Sequence, residues 1–281
     1  MRNLVKSMSM RQACNLTGLS PSVLSYRPVK HTRQLNAASV ELVRRVIEER
    51  PFYGSRRVAA AIRRQGVRMN RKAVQRIMSA MGWALPVQKK ERAFAGSERI
   101  RFIPTAPDQL WETDITYVWC GTDRWCYLFN MLDCFTREWV AYVFARDMRR
   151  QHAIDCLLKA TEGRDLSNLV LRSDNGSQFS SGAFMESVKA LGIRQEFIAN
   201  STPEQQGHIE SFHSTLKTEY IWPMEFGSYV AAAEYMPQAF GDYNDARLHS
   251  AIGYTTPGEF YMKWKRQLVP EVVTSNLQSR K

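Results

Sequence analysis

The chain has 281 residues, 44% hydrophobic and 23% charged, a balance that excludes wholesale disorder and allows one large domain or two to three smaller ones. Its net charge of +12 is uneven: residues 1–107 hold 22 Lys and Arg against 5 Asp and Glu, residues 108–281 hold 17 against 22, as if an arm that neutralises phosphates were joined to a part with another task. Five scattered cysteines without a Cys-x-x-Cys pair argue against structural zinc, and the absence of an apolar run of about 18 residues gives the expectation of a cytoplasmic protein with no membrane partner.

Residues 10–26 read as two short helices around a Gly turn, with Ser20 capping the second and Pro21 at its first position. A helix-turn-helix and a generic helical hairpin share this pattern. Residues 39–84 carry a stronger signal. Val40, Val43, Val46 and Ile47 give a helical period that ends before Pro51. Ser55 is placed to cap a helix with Val58, Ala59 and Ile62 that stops at Gly66, and Asn70 to cap one with Val74, Ile77 and Met81 on one face. The outward face of this last helix offers Arg71, Lys72, Gln75 and Arg76, the way a recognition helix meets a major groove. From Pro86 to Pro107 the periodicity lapses into a basic linker that could itself follow a DNA backbone.

Strands follow. Gln109–Trp119, Trp125–Phe135 and Trp139–Ala145 are rich in aromatic and β-branched residues and separated by short turns. Arg149–Glu162 predicts a helix, Leu169–Ser173 a buried strand, Ala183–Leu191 a helix stopped by Gly192, and Arg194–Ile198 a further strand. Gln205–Trp222 is one long helical candidate and Tyr229 to about Tyr243 another. Three strands, then alternating helices and strands, predict an α/β fold with a mixed sheet covered by helices.

Three acids stand out. Asp114 lies mid-strand between apolar neighbours, where a carboxylate is costly unless a cation or donors satisfy it. Asp174 ends a strand and opens a sharp Asn-Gly-Ser turn, the strand end where ligands gather in open sheets. Glu210 sits on the long helix beside Ile209 and Phe212. A strand-centre, a strand-end and a helix carboxylate can converge on hard divalent ions, the arrangement that metal-assisted phosphoryl transfer needs. Asp133 and Asp147 are strand-end acids of the same kind and receive no role.

Asp114 and Asp174 are separated by 59 residues, Asp174 and Glu210 by 35. With Trp-Glu-Thr-Asp-Ile-Thr-Tyr at 111–117, Ser-Asp-Asn-Gly-Ser-Gln-Phe at 173–179, and Glu-Ser-Phe-His-Ser-Thr-Leu-Lys-Thr-Glu at 210–219, this resembles the DD(35)E pattern of the retroviral-integrase and insertion-sequence superfamily. It is most similar to the downstream-frame product of the insertion-sequence-three family of bacterial transposases. Tyr243-Asn244, Arg247, His249, Gly-Tyr-Thr-Thr-Pro at 253–257 and Tyr-Gly-Ser-Arg-Arg-Val at 53–58 extend the likeness over most of the chain. One departure is Gln205-Gln206-Gly207-His208, where many relatives carry Asn.

The resemblance implies a ribonuclease-H-like integrase core, a mixed five-stranded sheet with helices, preceded by an all-α helix-turn-helix region. It divides the chain into an N-terminal helical segment (1–38), a helix-turn-helix domain (39–85), a basic linker (86–107), the catalytic core (108–265) and a tail (266–281). It makes Asp114, Asp174 and Glu210 the catalytic residues and the ligands of Mg²⁺, as two ions, with Mn²⁺ able to substitute. Lys217 stands at the spacing of the basic residue that contacts element ends, on Glu210's face of the helix and nearly two turns on. His213 shares that face, and both, with Asn175, are assigned to DNA contact. The implied partners are double-stranded DNA at element ends and target, further copies of the chain on that DNA, and an upstream-frame protein as partner or fusion. The competing readings are a DNA-binding regulator with an inactive core and a nuclease that cuts without joining.

Overall fold

The computed structural model describes residues 8–26, 34–86, 102–198 and 207–268. Residues 87–101 of the expected linker, Gln205, Gln206 and the tail from 269 lie outside them. Residues 1–41 and 42–281 are two compact units. In the first, α1 (Met10–Thr17) opens with a capping box in which Ser9 and Gln12 serve each other's backbone N–H, and closes on Gly18 at φ 67. Helix α2 (Pro21–Ser25) begins at Pro21 as expected, but Ser20 gives it no side-chain cap.

Helices α3 (Ala37–Glu49), α4 (Ser55–Arg64) and α5 (Arg71–Ala80) follow. Val43, Val46, Val58, Ile62, Val74 and Ile77 are buried, as their spacing predicts. Asn70 caps α5, its Oδ1 accepting from Lys72 N at 2.8 Å. Two expectations are corrected. Ser55 is already the first residue of α4, so the cap position falls to Gly54. Met81 lies past the end of α5, in a turn through Gly82 at φ 72, and points outward; Met78 takes the buried place.

Strands β1 (Leu110–Trp119), β2 (Trp125–Asp133), β3 (Trp139–Ala145), β4 (Val170–Ser173) and β5 (Arg194–Phe197) form one sheet in the order β3-β2-β1-β4-β5. The first three pair antiparallel; β4 runs parallel to β1, and β5 parallel to β4. Alternation along β2 sorts the two faces. Phe129 and Met131 pack with α6 (Arg150–Thr161) and α7 (Gly182–Ala190). Leu128 and Leu132 pack with α8 (Gly207–Leu216) and α9 (Tyr229–Asp245). The long helix expected to Trp222 is therefore shorter: after Leu216 the backbone widens into a π-helical turn, Lys217–Ile221, and a 3₁₀ turn, Trp222–Met224. A further helix, α10 (Pro257–Leu268), was not foreseen; Thr256 and Glu259 cap it reciprocally.

The hairpin joining β2 to β3 is held by Asp133, whose Oδ1 accepts from Phe135 N, Thr136 N and Thr136 Oγ1 at 2.7–2.9 Å. A bulge at Met131/Leu132 leaves the Trp139 backbone to Asn244, which accepts from its N–H and donates to its carbonyl. Side chains tie α4 and the segment before it to the elements after α8. Arg50 bonds Asp242 at 2.6 Å, Leu248 N donates to Tyr53 Oη at 2.8 Å, and Arg64 pairs with Glu259. The buried brace is Glu219, gripped by Arg247 through two hydrogen bonds of 2.7 Å and by Arg57 at 2.9 Å. Burial alone would raise the Glu219 carboxyl; Arg247 and then Arg57 outweigh it and hold it below the usual value.

Two ion pairs should therefore differ sharply in worth. Glu219→Gln leaves two guanidiniums without their counter-charge and should cost about 3–5 kcal/mol. Arg64→Ala, at a pair with side chains 44% and 42% exposed, should cost less than about 1 kcal/mol. Urea unfolding reads both. Because the folded-state value of Glu219 is depressed, its contribution is full above the unfolded carboxyl pKa of about 4.3. It is lost as pH falls through the lower folded value, so the wild-type advantage over Glu219→Gln should shrink in acid; a gap that widened in acid would contradict the assignment.

Candidate active site

Asp114 and Asp174 become neighbours through strand pairing. The last parallel pair between β1 and β4 is Glu112 with Arg172, and each aspartate lies two residues beyond it, on the same side of its strand. Asp174 is held at the strand end by its own turn: Gly176 N donates to Asp174 Oδ1 at 2.9 Å. A Cβ at position 176 would stand 2.8 Å from that oxygen, so this glycine is what lets the turn fold back under the carboxylate.

Asp114 faces α8. Its β2 partner is Asn130, whose Nδ2 lies 3.2 Å from His213 Nε2 and also donates to Leu128 O. If Asn130 donates, His213 Nε2 accepts and the ring proton sits on Nδ1, which points at Asp114 Oδ2 from 3.5 Å. That separation is within ion-pair range, but burial, with Lys217 in support, lowers the His213 pKa to about 3, so a neutral ring faces the carboxylate. His213, expected at the DNA, is 9% exposed, because position 213 points at the sheet along with Ile209, Phe212 and Leu216.

Glu210 is exposed in the first turn of α8, and Lys217 is half-buried at the start of the π-helical turn. Burial first, then the negative charges of Asp174 and Glu210, push the Asp114 carboxyl up to about 7, against the Ile115 N–H and Lys217. Asp174 and Glu210 thus both act on Asp114. Among the described residues no three such side chains stand close enough to hold a metal. The donor set still fits a hard divalent cation: it is all carboxylate oxygen, and its mutual repulsion is what a cation would relieve. Arg71, Lys72, Gln75 and Arg76 are all exposed on α5, and Asn175 is exposed beside Asp174 with its Nδ2 on Ile198 O.

Sequence reading missed Glu112. It is 1% exposed on the same face of β1 as Asp114. Its Oε2 accepts from Ile209 N at 2.8 Å, one residue before Glu210, and its Oε1 lies 3.7 Å from Arg172. Arg172 continues to Glu196 on β5 at 3.1 Å. This row ties β1, β4 and α8 together one step behind the three acids. The available signal was the two-residue spacing of Glu112 and Asp114. Glu112→Ala should leave the Ile209 N–H unpaired, costing about 1–3 kcal/mol and speeding exchange of that amide by about tenfold or more, with Glu112→Gln milder. Unchanged protection of Ile209 in the alanine variant would remove this role.

Residues 104–203 and 191–257 match models of the integrase core domain, and residues 34–91 match the HTH-like domain. The chain is 30% identical over 259 residues to the uncharacterized 31.7 kDa protein of insertion element IS407 of Burkholderia multivorans, covering 92% of each chain. It is 31% identical over 233 residues to the transposase InsD of insertion element IS2 of Escherichia coli, covering 78% of this chain and 76% of that one. Among solved structures, the simian T-cell lymphotropic virus intasome in complex with PP2A regulatory subunit B56 gamma superposes with a TM-score of 0.50 at 17% identity, over 85% of this chain and 80% of that one; this likeness bears on the fold alone. A mixed five-stranded sheet in a ribonuclease-H-like integrase core, an HTH-like region before it and transposase relatives along most of its length make the chain a member of the insertion-sequence-three family of DDE transposases.

Proposed function

We propose that this transposase cuts DNA at the ends of its element and joins the freed strands to a target by metal-dependent phosphoryl transfer at Asp114, Asp174 and Glu210. The observation that supports the reading is that Asp174, just past the end of β4, and Glu210, at the opening of α8, both bear electrostatically on Asp114 of the adjacent strand β1. When bound, a pair of Mg²⁺ ions, or Mn²⁺ in their place, would neutralise charge on the phosphate and activate the attacking oxygen. The three carboxylates are the residues that would hold them.

The rest of the site orients these groups. His213 presents Nδ1 to Asp114, Glu112 fixes the start of α8, and Lys217 brings positive charge toward Asp114. In the first step water attacks the phosphodiester at the element end; the bond from phosphorus to the 3′ oxygen breaks, and that oxygen leaves as a 3′-OH. In the second, this hydroxyl attacks a target phosphodiester and displaces its 3′ oxygen, so one bond is exchanged for another. Positioning and charge neutralisation account for most of the acceleration in such transfers. Arg71, Lys72, Gln75 and Arg76 would read or grip the duplex, with Lys217 and Asn175 nearer the cut. Two ends have to be held together, which calls for more than one copy of the chain on DNA, with an upstream-frame protein as a further partner or fusion. Among the described residues no helix is long and apolar enough to cross a membrane; the reaction is assigned to the bacterial cytoplasm.

A strand-transfer assay on labelled element-end DNA with Mg²⁺ or Mn²⁺ tests the reading. Wild type should form joined product, while Asp114→Asn, Asp174→Asn and Glu210→Gln should form none yet still bind DNA. Joining by these variants would sink the triad; wild-type binding without cleavage would leave a DNA-binding regulator. Gly176→Ala offers a subtler check. Its methyl displaces the Asp174 carboxylate rather than any backbone, so joining should fall by about 100-fold while stability moves by no more than about 0.5 kcal/mol.

A further inference from the structure

A second polar pocket, of about 310 Å³, opens between α4, α8, the β2–β3 turn and the segment after α9. Its lining includes Arg57, Arg137 and Arg247 with the hydroxyls of Ser211, Thr215 and Ser250, and among the described residues no acid. Glu219 behind it offsets one of the three guanidiniums by pairing with Arg57 and Arg247. His249 adds no charge: burial first, then the fields of Arg247, Arg57 and Arg137, push its pKa down to about 2. All three arginines therefore bear on one place.

Arg137 is the unusual member. It sits at φ 64, a left-handed conformation that favours glycine, in a turn locked by the hydrogen bonds to Asp133 and by its own N–H to Asp133 O at 3.0 Å. Its Nε is buried with no hydrogen-bond partner, and among the described residues no carboxylate pairs with it. A long cation that lines the pocket from a strained backbone position, with no carboxylate paired to it among the described residues, is set up for an anion that arrives from outside.

We propose that this pocket seats a phosphate of the DNA backbone, with Arg137 as its chief ligand and the hydroxyls of α8 as neutral donors. The assignment rests on the reading of the chain as a DNA-acting transposase. Ser211 and Thr215 lie about 100° and 140° around α8 from Glu210. The phosphate bound there is therefore a different one from the phosphate at the carboxylates, and it holds the duplex in register while the reaction proceeds.

The test is binding of a labelled duplex of arbitrary sequence over a salt series, comparing wild type with Arg137→Gly. Glycine removes the side chain and relieves the backbone, so its melting temperature should match or exceed wild type, and weaker binding could not be put down to unfolding. The expected result is weaker binding with a plot of log affinity against log salt shallower by about 0.9, the share of one phosphate contact. Coincident plots for the two proteins would overturn the proposal. Wild type that binds no duplex at all would overturn the transposase reading first and this with it. Inorganic phosphate that raises the melting temperature of wild type but not of Arg137→Gly, with duplex plots unchanged, would assign the pocket to a small phosphate and overturn the DNA assignment.

Discussion

The buried Glu112 carboxylate is where β1, β4 and the start of α8 meet. Burial pushes its carboxyl up, and the Ile209 N–H and the Arg172 guanidinium act against that. A carboxylate inside a sheet is expensive without such partners, and the partners it takes are the ones next to the acids of the site. Asp114 is two residues along β1, Asp174 two along β4 from Arg172, and Glu210 one along α8 from Ile209. One partly satisfied carboxylate, its Oε1 buried without a hydrogen bond, thus stands behind Asp114, Asp174 and Glu210.

The two faces of the sheet divide the remaining work. The face under α6 and α7 is an apolar core around Trp111, Phe129 and Leu157. The face under α8 and α9 combines an aromatic cluster at Trp139, Phe212 and Tyr243 with the polar set of Asn130, His213 and Asp114. Apolar packing holds α8 against the sheet, and the polar set aims it. On the far side of α8, the Arg57–Glu219–Arg247 brace joins the helix-turn-helix region to the core. The basic face of α5 and the carboxylates therefore belong to one unit.

Much of this was legible in sequence, for local reasons. Aromatic and β-branched richness between short turns marked β1 to β3, a single-residue cap marked α5, and the Asn-Gly-Ser after Asp174 marked its turn. Helix ends were read less well. Ser55 is a good capping residue that the chain uses one position into the helix, and Met81 keeps the apolar period of a helix that has already ended. The helix after Thr256 was missed although Thr256 and Glu259 have capping-box spacing, because attention to the apolar pattern alone skips short amphipathic ends. A helical wheel puts His213 near Glu210, but its burial depends on which neighbour the helix faces, and the wheel does not contain that.

The sequence alone determined the fold class, the spacing of Asp114, Asp174 and Glu210 and the basic first third, since these depend on residue type, periodicity and charge along the chain. Only the tertiary structure decided that Glu112 holds the start of α8, that Asn244 completes the backbone of Trp139, that Glu219 is shared by two arginines, and that Arg137 has a buried donor to spare. The first three join residues on separate elements, Glu112 and Asn244 through backbone groups of their partners and Glu219 through side chains alone, pairings that no local pattern encodes. The reason is physical: desolvation makes a polar group seek a partner wherever folding brings one, and the partner's position in sequence does not enter the energy.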